Sequence, residues 1–382
     1  MAFTLTEEQE ILQRTAREFV QGKSSFKRLR ALRDDATGPG FSPELWREMA
    51  HLGWLGIVVP EQYGGAQLGW TDLMVVLEEL GRGLLPEPVV GTVLLGTTAL
   101  LLGASDAQRQ AHLPAVVGGE RRLAVAYQEP GSRYAHQRVE TRAERTGTGW
   151  TLHGHKAHVL DGGAADWFVV SARTGGAPAD EAGITLFLVP RDARGLVVEP
   201  QHRVDSRGAA LLHLEGVAVG AADVVGREGE GATLLGRVLD RAAIGLCAEM
   251  LGSMTACFEM TLEYLKTRKQ FGVPIGSFQA LKHRAARLFV ELELARSIVL
   301  AAHRALDEDA DDARIARLAS AAKARCSDAF VLVGNEGVQM HGGIGMTDEH
   351  DVGFFLKRAR VAELTFGDAA FHRDRVARLD GY

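Results

Sequence analysis

The chain has 382 residues, 46% hydrophobic and 24% charged, the balance of an ordinary globular protein, which excludes extended disorder. Acidic residues outnumber basic ones 49 to 43, the formal charge is -6 and no basic tract stands out. That excludes binding to nucleic acid or anionic lipid driven by net charge and leaves small molecules or proteins as partners.

In chain order, the N-terminus turns acidic at once and lacks the apolar core of an export signal. Residues 4–20 predict a helix, with Thr6 and Gln9 as a capping box and Leu12, Ala16, Phe19 and Val20 on one face. Ser42 with Pro43 starts a second helix, and Thr71 caps a third that Gly81 stops. The apolar run 84–104 is interrupted by prolines, a glutamate and glycines before it reaches a clean spanning length, so it reads as a buried helix and no membrane span is expected.

After Arg122 the pattern changes. Residues 150–160, 166–173, 184–190, 195–200 and 211–219 are short, rich in branched and aromatic side chains and separated by Gly, Pro and Asp, which predicts an antiparallel sheet or barrel. Gly226, Gly229 and Gly231 have no strand leading into them and read as a hinge. Long amphipathic patterns over 232–268, 277–308, 312–340 and 350–366 then predict a four-helix bundle. The expected architecture is α+β: a helical domain over residues 1–121, an antiparallel β-barrel domain over 122–224 and the bundle over 225–382.

Cys247, Cys257 and Cys326 stand in no metal spacing and fit a reduced, cytoplasmic compartment. No G-x-S-x-G, H-E-x-x-H or Walker loop occurs. The stretch VQMHGGIGMTDEHD, 338–351, has three readings: a metal site, a phosphate cradle or a turn. His341 and His350 are too far apart to share a helix face, so no metal is assigned, and glycine's backbone freedom favours a tight interhelix turn.

Helix, barrel, helix-bundle order, together with YLKTRKQFGVPIGSFQALKHRAA at 264–286 and QMHGGIGMTDEHDVGFFLKRARV at 339–361, resembles the acyl-CoA dehydrogenase flavoproteins nearly end to end. The resemblance implies FAD extended between barrel and bundle and reaching into a neighbouring subunit of a homodimer or homotetramer, or of a heteromer. It implies an acyl-CoA substrate and an electron-transferring flavoprotein as partner. Arg268 would pair with the pyrophosphate, Gln270, Phe271, Phe278 and Gln279 would lie nearby, and Gln339, Gly342 and Gly343 would receive the other side. The glycine cluster would then be both a turn and a pocket wall, and Asp368 would also belong to the cofactor.

The family's reaction takes an α-proton from a thioester, which demands a placed carboxylate and donors to the thioester oxygen. In many members the base is a glutamate directly before a late glycine. Here that position is Phe366, which can offer only its backbone N–H. Other members place the base on the first long bundle helix, before an arginine. Asp240 holds that place, with Ala243, Ile244 and Cys247 along the same stripe and Arg241 assigned to the substrate. Gln128 and Ser132 stand in for the family's T-E-P-x-x-G-S-D loop. His158 stands where a tryptophan flanks the flavin, and Leu160 where a threonine hydroxyl contacts its N5. The expected reaction is oxidation of an acyl-CoA to the 2-enoyl-CoA. The alternatives are a non-catalytic subunit completing a partner's FAD site and a flavin oxidase or monooxygenase on the same fold.

Overall fold

The computed structural model describes residues 5–35 and 37–382. The chain begins with α1 (Glu7–Lys23), α2 (Phe26–Asp34), α3 (Pro43–His51) and α4 (Trp70–Arg82), followed by a π-helical stretch, Val90–Thr97, that runs into α5 (Thr98–Gly103), and then α6 (Asp106–Val117). Eight strands follow: β1 (Leu123–Ala126), β2 (Arg142–Thr146), β3 (Gly149–Leu160), β4 (Trp167–Arg173), β5 (Ile184–Pro190), β6 (Leu196–His202), β7 (Gly208–Gly220) and β8 (Val224–Val225). Last come α7 (Gly231–Thr267), a short hairpin of β9 (Lys269–Gln270) and β10 (Val273–Pro274), α8 (Gln279–Asp307), α9 (Asp312–His341), α10 (Val352–Leu364) and α11 (Ala369–Leu379).

These elements form two compact units, one of Asp35–Leu68 with Pro86–Ala242, the other of the chain through Asp34, Gly69–Leu85 and Ala243–Tyr382. The first is built on the sheet. Its order is β6-β7-β3-β2-β4-β5-β8, with β1 beside β4, and the edge strands β6 and β8 do not pair with each other. The expected barrel is therefore corrected to an open sheet. Strand count and alternation are the same for both, and only edge pairing, a long-range event, closes a barrel. Nor is the sheet wholly antiparallel, since β1 and β2 each pair with β4 in parallel.

Phe168, Val170, Phe187, Val189, Leu152, Leu212 and Leu214 fill the core on one face of this sheet. β4 and β5 are buried on their other face too, and the π-helical stretch packs against β1. Within the apolar run 84–104, the stretch Val90–Gly103 forms the expected helix, largely buried, while residues 84–88 are non-helical.

The second unit is helical. Thr6 and Gln9 form the capping box at α1. In the first unit, Ser42 caps α3 as expected, with Pro43 in its first turn. Thr71, however, is not a cap. Asp72 accepts from Gly69 N at 2.8 Å and makes Gly69 the N-cap, while Thr71 is buried against Asp307, a partner 236 residues away. Gly81 does not stop α4 either, because the helix runs on to Arg82.

Gly81 serves a helix crossing instead. A Cβ built on Gly81 would lie 2.1 Å from Glu249 O in α7, and one on Gly252 would lie 1.7 Å from Glu78 O in α4. Ser253 Oγ adds a bond to Gly81 O at 2.8 Å. Below this crossing, Arg358 of α10 grips Glu249 through two bonds of 2.9 and 3.1 Å, with both side chains buried. Around them α9 packs against α8, α10 and α11. The C-terminal part is helical as expected, but α10 has only 13 residues and a further helix, α11, follows it, capped by Asp368. Among the described residues, α7 alone is long and apolar enough to cross a membrane by length and composition, but 83% of its most apolar window is buried within the fold.

Gly252→Ala forces the α4–α7 crossing apart against main chain that has no slack. It is expected to destabilise the protein by about 1–3 kcal/mol, read as a lower urea midpoint; an unchanged midpoint would mean that the helices do not meet this closely in solution.

Candidate functional site

Two segments of the helical unit come together at the end of α7. Beyond Thr267 the chain turns through the β9–β10 hairpin, closed by Ile275 N donating to Arg268 O at 2.8 Å. Phe271, at the hairpin tip with a left-handed φ of 55°, is 90% exposed. Its ring meets that of Phe278 edge-on at 6.1 Å. Arg268, Gln270 and Gln279 are exposed beside them. Aromatic surface so displayed beside a cation marks a place where a ligand or a second chain is expected to bind.

The second segment is the glycine cluster. α9 ends at His341, Gly342 takes a φ of 67°, and a 3₁₀ turn leads on towards α10. The reading as a turn is correct. A Cβ built on Gly342 or Gly343 would meet nothing within 4 Å, so their backbone is open to close approach, and Gln339 is exposed alongside.

The two histidines are not passive there. His341 is buried, its Nδ1 donates to Gly337 O at 2.7 Å, and its ring lies 4.5 Å from Tyr264 and 4.4 Å from His350. Tyr264 sits four residues before Arg268. The aromatic trio therefore clamps the arginine segment to the glycine turn. Among the described residues no cluster of three or more His, Cys, Asp or Glu is arranged to hold a metal ion.

The same unit holds Phe366. It is buried with a left-handed φ of 63°, and Gly367 follows at 118°. Glycine is obligatory at 367, since a Cβ would meet the Phe371 ring at 2.4 Å. The Phe366 N–H has no hydrogen-bond partner among the described residues. Its carbonyl, by contrast, accepts from His372 Nε2 at 3.1 Å. Burial, with the charges of Lys323 and Arg375, lowers the His372 pKa to about 3, so the ring is neutral with its proton on Nε2. Asp368, half-buried, is occupied in capping α11.

In the sheet unit, a backbone bond, Ala157 N to Gln128 O at 2.9 Å, ties Gln128 to the strand residue before His158, and the Gln128 amide donates to Arg133 O at 3.2 Å. His158 is exposed at a bulge in β3 with a φ of 50°, and Leu160 is half-buried two residues on. Ser132 is buried, and its hydroxyl donates to Glu129 O at 2.9 Å, which closes the loop. Beneath lies a group absent from the sequence reading. Lys156, wholly buried, donates to Glu129 at 2.6 Å and to Ser171 at 3.0 Å, and Glu129 also accepts from Thr141 Oγ1 and from Glu140 N, each at 2.6 Å. Burial pushes the Glu129 pKa up, but Lys156 and these donors outweigh it and hold it low. Burial takes Lys156 down to about 8. Asp240 is buried in the part of α7 that belongs to this unit, with Arg241 half-buried beside it, its Nη1 on Arg237 O at 3.2 Å.

Of Lys156, Lys323 and His372, only Lys323, between Ala322 and Ala324, had an available signal, a basic residue flanked by small ones. The partners that give them meaning are distant in sequence.

The sequence matches the acyl-CoA dehydrogenase N-terminal domain over residues 6–120, the middle domain over 124–217 and the C-terminal domain over 229–379. The chain belongs to the acyl-CoA dehydrogenase family. It is therefore an oxidoreductase and an FAD-dependent flavoprotein. It is 30% identical to the probable acyl-CoA dehydrogenase YngJ of Bacillus subtilis over 99% of each chain. Its fold matches butyryl-CoA dehydrogenase from Megasphaera elsdenii with a TM-score of 0.91 at 26% identity, covering 99% of each chain. It also matches the ChsE4–ChsE5 complex from Mycobacterium tuberculosis with a TM-score of 0.89 at 29% identity, covering 100% of each.

FAD fits what the helical unit displays. Arg268 is a forked donor suited to a diphosphate, Phe271 and Phe278 offer faces for ring or ribose, and the Gly342–Gly343 backbone is open.

Two outcomes follow. Arg268→Ala is expected to weaken FAD binding about 10- to 100-fold, measured by flavin release on dilution; undiminished retention would remove Arg268 from the cofactor site. The His372 ring stays neutral in the folded state while the unfolded ring binds a proton below about pH 6.5. Its contribution to stability is therefore complete above that pH and is lost as pH falls towards the folded value. His372→Gln is expected to reduce the acid-side slope of unfolding free energy by up to about 1.4 kcal/mol per pH unit between pH 6 and 4, measured by urea titration; an unchanged slope would contradict a neutral buried ring.

Proposed function

We propose that this enzyme oxidises an acyl-CoA thioester to the 2-enoyl-CoA. The observation that carries the reading is the Phe366 N–H, a backbone donor without a partner on a strained turn. Residues in such a conformation persist when their surroundings over-determine them, and a donor kept unsatisfied suits a ligand oxygen. In this reading it donates to the thioester oxygen and stabilises the negative charge that develops there as the α-proton leaves.

The side chain at 366 cannot take that proton. Asp240 takes it, as a buried carboxylate on α7 beside Arg241, which contacts the substrate. FAD, when bound, would supply the hydride acceptor for the β-carbon, so that loss of the α-proton and the β-hydride leaves the double bond between the two carbons. Arg268, Gln270, Phe271, Phe278, Gln279, Gln339, Gly342, Gly343 and Asp368 hold the dinucleotide, while Gln128, Ser132, His158 and Leu160 line its reactive ring. His158 covers the ring by stacking. Leu160 contributes shape alone. Electrons then pass to an electron-transferring flavoprotein, and the exposed Arg268 hairpin serves the cofactor of a second chain.

Anaerobic bleaching of the flavin by a panel of acyl-CoAs tests the reading. Bleaching is expected with at least one thioester, and Asp240→Asn is expected to slow it by about 10²- to 10⁴-fold while FAD remains bound. A full rate in Asp240→Asn rejects this base. A colourless protein that gains FAD only when a second polypeptide is supplied points to the non-catalytic subunit instead, a possibility that the two-component ChsE4–ChsE5 relative raises.

A further inference from the structure

Lys323 lies in α9, and its side chain is wholly buried. Its ammonium donates to Ser327 Oγ at 2.9 Å, Glu363 O at 2.9 Å and Gly367 O at 2.8 Å. All three acceptors are neutral oxygens. Two of them are main-chain carbonyls that bracket Phe366, and His372 from α11 holds the Phe366 carbonyl between them. Backbone rotation on either side of the Thr365–Phe366 peptide is fixed by these anchors.

A left-handed phenylalanine carries about 1–2 kcal/mol of strain, so the turn relaxes unless it is held. Packing alone does not require a lysine. A methionine would fill much the same space without burying a charge, and burying a charge that no carboxylate directly meets is unfavourable. Burial lowers the Lys323 pKa to about 8, opposed by Cys247, Cys326, Glu363 and Asp368, so the group is still cationic at neutral pH.

We infer that Lys323 is a positioning residue for the oxidation: it locks the Phe366–Gly367 turn so that the Phe366 N–H meets the thioester oxygen, and it sets a positive charge behind that donor. The inference rests on the acyl-CoA reading above. It explains how the enzyme keeps the oxygen-binding half of this turn although the residue at 366 has no carboxylate. The turn's shape is imposed from α9 and α11, not by the side chain at 366.

The test uses the FAD-loaded enzyme and two probes. One is the acyl-CoA that bleaches the flavin fastest. The other is acetoacetyl-CoA, which ionises to an enolate and so presents a negative oxygen to the turn. Lys323→Met removes both donors and charge, and Lys323→Gln keeps donors without charge. In Lys323→Met, kcat is expected to fall about 10²-fold with KM and FAD content near those of the parent. Enolisation of bound acetoacetyl-CoA is expected to move up by about 1–2 pH units, with Lys323→Gln between.

A structural role alone would lower FAD content or melting temperature and leave the enolisation midpoint of the folded enzyme in place, and that result overturns the inference. So does a parental kcat in Lys323→Met. Should that variant not fold, the midpoint in Lys323→Gln decides, and a parental value overturns the inference. Failure of the underlying reading looks different: the unsubstituted enzyme itself would neither bleach with any acyl-CoA nor ionise acetoacetyl-CoA, and the inference would fall with it.

Discussion

Buried charge must be fully bonded, and that constraint organises both units. In the sheet, Lys156 and Glu129 are taken out of water together, and the bonds that compensate them tie the Glu129 loop to β3 and to the segment at Glu140 and Thr141. Among the helices, Arg358 and Glu249 join α10 to α7, and Lys323 joins α9 to the turn after α10. An unmet bond at any of these sites would leave a charged group stranded at low dielectric, a penalty of several kcal/mol. The main chain has little choice but to keep the positions that these groups dictate.

Two of these networks, those of Lys156 and Lys323, lie next to a segment proposed for chemistry or cofactor. Glu129 and Lys156 fix the backbone that presents Gln128 and His158, and Lys323 with His372 fixes the turn at Phe366. The side chains nearest the proposed chemistry differ from those usual in the family, with phenylalanine at 366 and leucine at 160, while the supports beneath them are complete. In the proposed reading, function therefore depends more on backbone groups and their anchoring than on the side chains at those two positions. The proposed base, Asp240, is the exception in that reading, since proton transfer needs a carboxylate.

The histidine-glycine stretch shows the same division of labour. Its glycines leave a bare backbone turn, whereas His341 and His350 close on Tyr264 and hold that turn to the arginine hairpin. Neither histidine needs to touch a ligand to matter. Alternation of exposed and buried groups on so short a segment is the mark of a turn that binds on one side and packs on the other.

The sequence by itself determined the order of helices, strands and helices, the approximate extents of the elements it predicted though not α2, α6, β1, β2 or α11, the caps at Thr6 and Ser42, and the family, because periodicity, capping and the two spaced motifs are local signals. It could not distinguish a closed barrel from an open sheet, since the pairing of edge strands leaves no local trace. It misplaced the roles of Thr71 and Gly81, whose partners, Asp307 and Glu249, lie far along the chain. Only the tertiary structure decided that Lys323, Lys156 and His372 are anchors and that the Phe366 N–H is left without a partner. A buried ion or an unsatisfied donor is defined by what surrounds it in space, and those surroundings are assembled from residues that no short window of sequence contains.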